Sequence, residues 1–212
     1  MTSRCGSEYK SKFSSILAQG GSQVVGETLI RFLDKVCEHV QNIKSNLDFK
    51  KIEEFISALE NARCIFVMGA GRSGFVAKAF AMRLMHLGYN VYVVGETVTP
   101  RIKPEDLLIA ISGSGETLSV VNISRRAKED IGSKLVAITQ RPESTLAKMS
   151  DIVIVLKGKD KYERNHELSK LAPLGTLFEL TALIFLDGLV AEIMNLKQLT
   201  EEDLAERHAV LE

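Results

Sequence analysis

Two stretches, 65–74 and 107–117, share one design, and together they fix the class of fold open to this chain. Ile65-Phe66-Val67-Met68 runs straight into Gly69-Ala70-Gly71-Arg72-Ser73-Gly74, and residues 75–86 follow with helical periodicity. Leu107-Leu108-Ile109-Ala110-Ile111 opens in the same way into Ser112-Gly113-Ser114-Gly115-Glu116-Thr117. An uninterrupted apolar run of strand length is the mark of a strand covered on both faces. A glycine turn that delivers such a strand into a helix leaves the first amides of the helix unpaired and aimed outward, which makes an anion site. Two of these turns on neighbouring strands would face one pocket.

The rest of the chain extends the pattern. Residues 90–94, 135–138 and 152–156 read as further strands. Helical spacing covers 23–46, 49–60 (with Asp48 as N-cap), 118–131, a short helix after Ser144, and 173–195. Gly88 ends the helix that follows the first turn. Strands alternating with helices predict an α/β domain, a doubly wound five-stranded parallel sheet of order 2-1-3-4-5 flanked by helices. The switch point of that order lies between strands one and three, where both glycine turns fall, and ligands bind outside the carboxyl ends there. Residues 1–22, rich in Ser and Gly, fall outside the domain, and 23–212 form a single one. Residues 157–172 read as a solvated polar loop, and a short acidic helix follows Thr200. The helix 173–195 is apolar around much of its circumference and calls for cover from another subunit.

Charge and cysteine content narrow the function classes. With 27 basic and 27 acidic residues the formal charge is zero, so no global field draws the chain to nucleic acid or to a membrane surface. The apolar run 180–194 is too short and too polar to span a bilayer, being interrupted by Thr181, Asp187 and Glu192. The start of the chain carries no secretory apolar segment. Cys5, Cys37 and Cys64 lack metal-ligand spacing, and nothing suggests disulfides, so a reducing cytoplasm is the expected compartment.

Residues 69–74 match the dinucleotide fingerprint GxGxxG, with Glu96 roughly where a ribose-binding acid would be sought. The second turn argues against that reading, since a dinucleotide domain does not require it. The hydroxyls of Ser112, Ser114 and Thr117, with the amides of 113–117, suit a compact phosphate monoester. The structural alternative is that Ser114 and Thr117 cap a helix, a role compatible with anion binding because both use the same amides. No GKS or GKT triplet follows either turn, which argues against a nucleoside-triphosphate loop. Glu179 has two readings: Thr176-x-x-Glu179 fits a capping box, and a carboxylate in the first turn of an apolar helix is also a candidate proton shuttle. His86 reads as a packed or interfacial histidine, and His208 as a surface residue on a terminal helix.

GAGRSG, SGSGET and PLGTLFE together resemble the sugar isomerase (SIS) domain across roughly residues 25–212. More narrowly, GRSGFVAKAFAMRLMHLGYNVYVVGETVTP, LLIAISGSGET, PLGTLFELTALIFLD and the terminal Arg-His are similar to the 6-phospho-3-hexuloisomerases. The resemblance implies interconversion of 3-hexulose 6-phosphate and fructose 6-phosphate, as in formaldehyde fixation through ribulose monophosphate. It also implies a homotetramer, with no metal and no organic cofactor. Carried over by position, Ser73, Ser112, Ser114 and Thr117 would hold the phosphate, together with Gly71, Gly113, Gly115 and Glu116, and Arg72 would stand near the pocket mouth. Glu179 takes the place of the enolising base, and His208 would enter the site of a neighbouring subunit. The implied chemistry is proton transfer between C2 and C3 through a cis-2,3-enediolate. An arabinose 5-phosphate isomerase and a non-catalytic phosphosugar sensor are the other readings of the same loops.

Overall fold

A computed structural model describes residues 26–157, 171–172 and 175–210. The expectations for 1–22 and for most of the loop 157–172 lie outside the described residues. Five strands, β1 (Ile65–Gly69), β2 (Val91–Val93), β3 (Leu107–Ile111), β4 (Lys134–Thr139) and β5 (Ile152–Val155), form one sheet in the order β2-β1-β3-β4-β5. Every pairing is parallel, with Ile65 opposite both Val91 and Leu107, and Leu107 opposite Lys134. This is the doubly wound sheet that the sequence predicts. All five residues of β3 are buried, as its uninterrupted apolar run requires.

Seven helices among the described residues flank the sheet: α1 (Glu27–Lys44), α2 (Phe49–Asn61), α3 (Arg72–His86), α4 (Leu118–Arg125), α5 (Thr145–Met149), α6 (Thr176–Lys197) and α7 (Glu201–Ala205). The caps explain several boundaries. Asp48 accepts from the amide of Lys51, Ser144 accepts from that of Ala147, and Thr200 forms a reciprocal box with Asp203. Gly88, at φ +90°, follows the last turn of α3, where a left-handed residue stops the helix. The predicted helix 118–131 divides: α4 passes at Arg126–Ile131 into a π-helical turn that ends on Gly132.

The core has two parts, one on each face of the sheet. Phe55, Phe80, Leu84, Phe178 and Leu186 pack with β1, β3 and β4 on one face, so α2, α3 and α6 share that layer. Val120, Val121, Ala127 and Leu146 cover Phe66, Leu108 and Leu135 on the other. Cys64 is buried in the second cluster, as expected. Helix α1 buries none of its residues, and Leu29, Ile30 and Leu33 on it are 60%, 60% and 52% exposed. No helix among the described residues is long and apolar enough to cross a membrane.

Candidate active site

The carboxyl ends of β1 and β3 deliver the two glycine turns to one place. Helix α3 starts at Arg72, directly after Gly71 at φ +58°, three residues before the apolar periodicity becomes visible at Phe75. A Cβ on Gly69 would stand 2.5 Å from the carbonyl oxygen of Ser73. The strand end and the first turn of α3 are therefore in backbone contact, and Ser73 is buried there.

The second turn is held from two sides. A Cβ on Gly113 would stand 2.9 Å from the ring of Phe178, so the turn lies flat against the first turns of α6. On the other side it is fastened to the segment that follows β4. The Thr139 hydroxyl and the Gln140 amide both donate to the carbonyl of Gly113 at 3.2 Å, and the Leu146 amide donates to Gly115 at 3.1 Å. Glu116 completes this fastening: its carboxylate accepts from the Thr145 amide at 2.8 Å. That bond to Thr145 favours the ionised form and lowers the Glu116 pKa. A depressed carboxylate pKa contributes stability that is present at neutral pH and is lost as pH falls through it. Glu116 thus points away from the cleft, and its contact there is structural.

Between these walls lies a cleft of about 100 Å³ lined by Ser73, Ser112, Gly113, Ser114, Thr117 and Glu179, with Ala70, Gln140, Gly175 and Phe178. Of the residues singled out in the sequence, those first six meet here. Gly71, Arg72, Gly115 and Glu116 shape the walls without lining them. Two amides expected to face a ligand are spent inside the turn. The Gly115 amide donates to Ser112, and that of Glu116 donates to the Ser114 hydroxyl at 3.2 Å. Since these bonds use serine lone pairs, the hydroxyl protons stay available for an acceptor ligand. Thr117 is the N-cap residue of α4 but makes no side-chain cap bond; its hydroxyl stands 3.3 Å from that of Ser112. The capping alternative for Thr117 is therefore not realised.

The capping-box reading of Glu179 is also corrected. The N-cap of α6 is Gly175, in the left-handed conformation at φ +89°, so Thr176 is already helical and cannot serve as the cap. The Thr176 hydroxyl instead accepts from the Arg72 guanidinium at 3.1 Å. Arg72 Nε also stands 3.8 Å from Glu179 Oε2, which leaves the carboxylate 13% exposed on the cleft wall. Glu96, the acid sought for a ribose, is 2.6 Å from Lys78.

His208 lies elsewhere in the chain's own fold. Its ring stacks on that of His86, with centroids 5.3 Å apart, and Arg207 donates to the His86 carbonyl at 3.3 Å. His86 is buried, as a packed histidine, and is the last residue of α3. Helix α3 is 15 residues long, so its two ends are about 22 Å apart. The cleft is at one end and His208 at the other.

Gln140 is a polar cleft residue that sequence reasoning missed, as it missed Ala70, Gly175 and Phe178. No motif marks it; the only signal is the strand order, which sets the end of β4 beside the turn that follows β3.

The SIS domain model matches residues 58–181, more than half of the chain. The chain belongs to the SIS domain family, within its phosphosugar isomerases. A protein of Archaeoglobus fulgidus is 66% identical over 184 residues, covering 87% of this chain and 100% of the relative. The 3-hexulose-6-phosphate isomerase of Methanocaldococcus jannaschii is 42% identical over 84% of this chain and 96% of its own. A solved structure from Methanococcus jannaschii, for which a 3-hexulose-6-phosphate isomerase function was inferred, superposes with a TM-score of 0.76 at 40% identity. It covers 85% of this chain and 98% of that one.

Proposed function

We propose that this SIS isomerase interconverts 3-hexulose 6-phosphate and fructose 6-phosphate, with Glu179 as the base that moves the proton. The observation that carries the reading is the single carboxylate of Glu179 facing four hydroxyls across a cleft of about 100 Å³. The serine and threonine hydroxyls hold the phosphoryl oxygens, which anchors the open-chain sugar with C2 and C3 over Glu179. The carboxylate takes the C2 proton of the 3-ketose, electrons move to the C3 carbonyl oxygen, and a cis-2,3-enediolate results. The hydroxyl proton passes from the C2 oxygen to the C3 oxyanion. Return of the carbon-bound proton to C3 and collapse of the resulting C2 oxyanion to a carbonyl then give the 2-ketose. Because the carbons are adjacent, one carboxylate serves both. Arg72 and turn amides are candidate donors to the oxyanion.

The test is a coupled assay that offers 3-hexulose 6-phosphate and arabinose 5-phosphate in parallel. Turnover of the hexulose phosphate in preference to the pentose phosphate is expected, and the reverse preference would replace this reading. In the same assay, Ser112→Ala combined with Thr117→Val should raise KM strongly, since each lost hydrogen bond to a charged phosphoryl group is worth about 1.5–3 kcal/mol. An unchanged KM would remove the phosphate from this turn.

The enzyme acts as a cytoplasmic homotetramer in this reading, and His208 serves a neighbouring subunit. Three exposed apolar residues on α1 and a groove of about 510 Å³ between α1, α2 and α6 support self-association. The length of α3 supports the second point, because His208 is a helix length from its own cleft. Inactive Glu179→Gln and His208→Ala subunits, unfolded together and refolded as mixed oligomers, should recover part of the activity. Mixtures that stay inactive would show that the histidine works without crossing an interface.

A further inference from the structure

We propose that Gln140 determines specificity by hydrogen-bonding the substrate hydroxyl nearest the phosphate, that on C5; the proposal rests on the isomerase reading above. Gln140 follows the last residue of β4, and its position is fixed by its neighbours. Its amide donates to Gly113 at 3.2 Å, the Thr139 hydroxyl donates to the same carbonyl, and the Arg141 amide donates to that hydroxyl at 3.2 Å. The backbone is therefore pinned to the middle of the serine turn, and Gln140 lines the cleft with Ser112, Ser114 and Glu179. There its Oε1 is buried and has no hydrogen-bond partner among the described residues.

A buried carboxamide oxygen without a donor is costly, so the cleft is complete only when a ligand supplies one. An ionised phosphoryl group has acceptors alone and cannot do so. A sugar hydroxyl both donates and accepts, and it satisfies the carboxamide whichever way round the amide lies. Glu179 works on C2 and C3, which leaves the C4 and C5 hydroxyls between the reacting carbons and the phosphate. Gln140 is tied to the phosphate turn itself, and this favours C5. A site built to pair a hydroxyl rejects the analogue that lacks it, because its own polar group is then stranded.

The test uses acyclic ligands, so that ring closure does not enter. Glucitol 6-phosphate and 5-deoxyglucitol 6-phosphate are titrated against the wild-type enzyme and Gln140→Met, with inorganic phosphate as a third ligand. The wild type should bind the parent polyol about 10- to 100-fold more tightly than the deoxy analogue. In Gln140→Met that ratio should collapse to near unity, with inorganic phosphate binding unchanged. A wild-type enzyme that does not discriminate overturns the proposal without reference to the variant. So does a Gln140→Met enzyme that keeps the ratio, or one whose phosphate affinity falls in step with the polyol. Absence of hexulose phosphate turnover by the wild type would instead sink the isomerase reading beneath it.

Discussion

Glu179→Gln should leave the domain folded and lower turnover by about 10² to 10⁴-fold, the usual contribution of a positioned general base. Glutamine keeps the volume and hydrogen-bonding reach of the side chain but cannot hold a proton between two carbons. The ion pair it gives up with Arg72 is long, at 3.8 Å, and the guanidinium is half exposed. Because that guanidinium already reaches water, it can be solvated when the carboxylate charge is lost. The two consequences therefore separate cleanly in thermal unfolding and in activity. Exchange of the C2 proton with solvent should fall alongside turnover, since both pass through the same transfer. A fully active Glu179→Gln enzyme would remove this carboxylate from the chemistry.

Gly69→Ala should damage the domain through contact, and Gly71→Ala through backbone conformation alone, although the two positions share one turn. At Gly69 the new Cβ would stand 2.5–2.8 Å from backbone atoms of Ser73 and Gly74, none of which can swing aside as a side chain would. Relief requires the first turn of α3 to lift from β1, and that turn carries Ser73. Overpacking of this kind costs about 1–3 kcal/mol, occasionally more. In a domain of this length each kcal/mol lowers Tm by about 2–4 °C. Phosphosugar binding should weaken in the same variant because a wall of the cleft moves. At Gly71 a Cβ meets nothing within 4 Å, so the penalty is that of the backbone itself, at φ +58° with ψ −131°, a combination open essentially to glycine alone. A Gly69→Ala enzyme with unchanged Tm and unchanged phosphosugar affinity would show that the contact between β1 and the first turn of α3 is not tight.

The sheet was legible because its evidence is redundant. Five apolar runs, each ended by a turn, admit few arrangements other than a covered parallel sheet, and the two glycine turns then locate the switch point. Boundaries set by contact were harder to read. The first turn of α3 holds Arg72 and Gly74, which carry no apolar period, so following the apolar spacing alone starts the helix at Phe75. Thr176-x-x-Glu179 has the letters of a capping box, yet the hydroxyl is taken by Arg72, 104 residues away in the chain. No local pattern encodes that partner. Gln140 is illegible for the same reason: its role depends on where its strand lies, not on its neighbours in sequence. The π-helical turn at Arg126–Ile131 has no sequence signature that we can identify.

The bond between Arg72 and Thr176 also bears on the order in which the molecule forms. Closing so long a stretch of chain costs conformational entropy that only a docked core can offset. Serine turn, Arg72 and Glu179 should therefore come together only when α6 settles against α3. A ligand bound there is consequently linked to the whole domain rather than to one loop. At a concentration one hundred times its dissociation constant it would add about 2.7 kcal/mol to the global unfolding free energy. Phosphosugar occupancy would then slow proteolysis and hydrogen exchange even in β4 and α2, elements that do not contact the ligand.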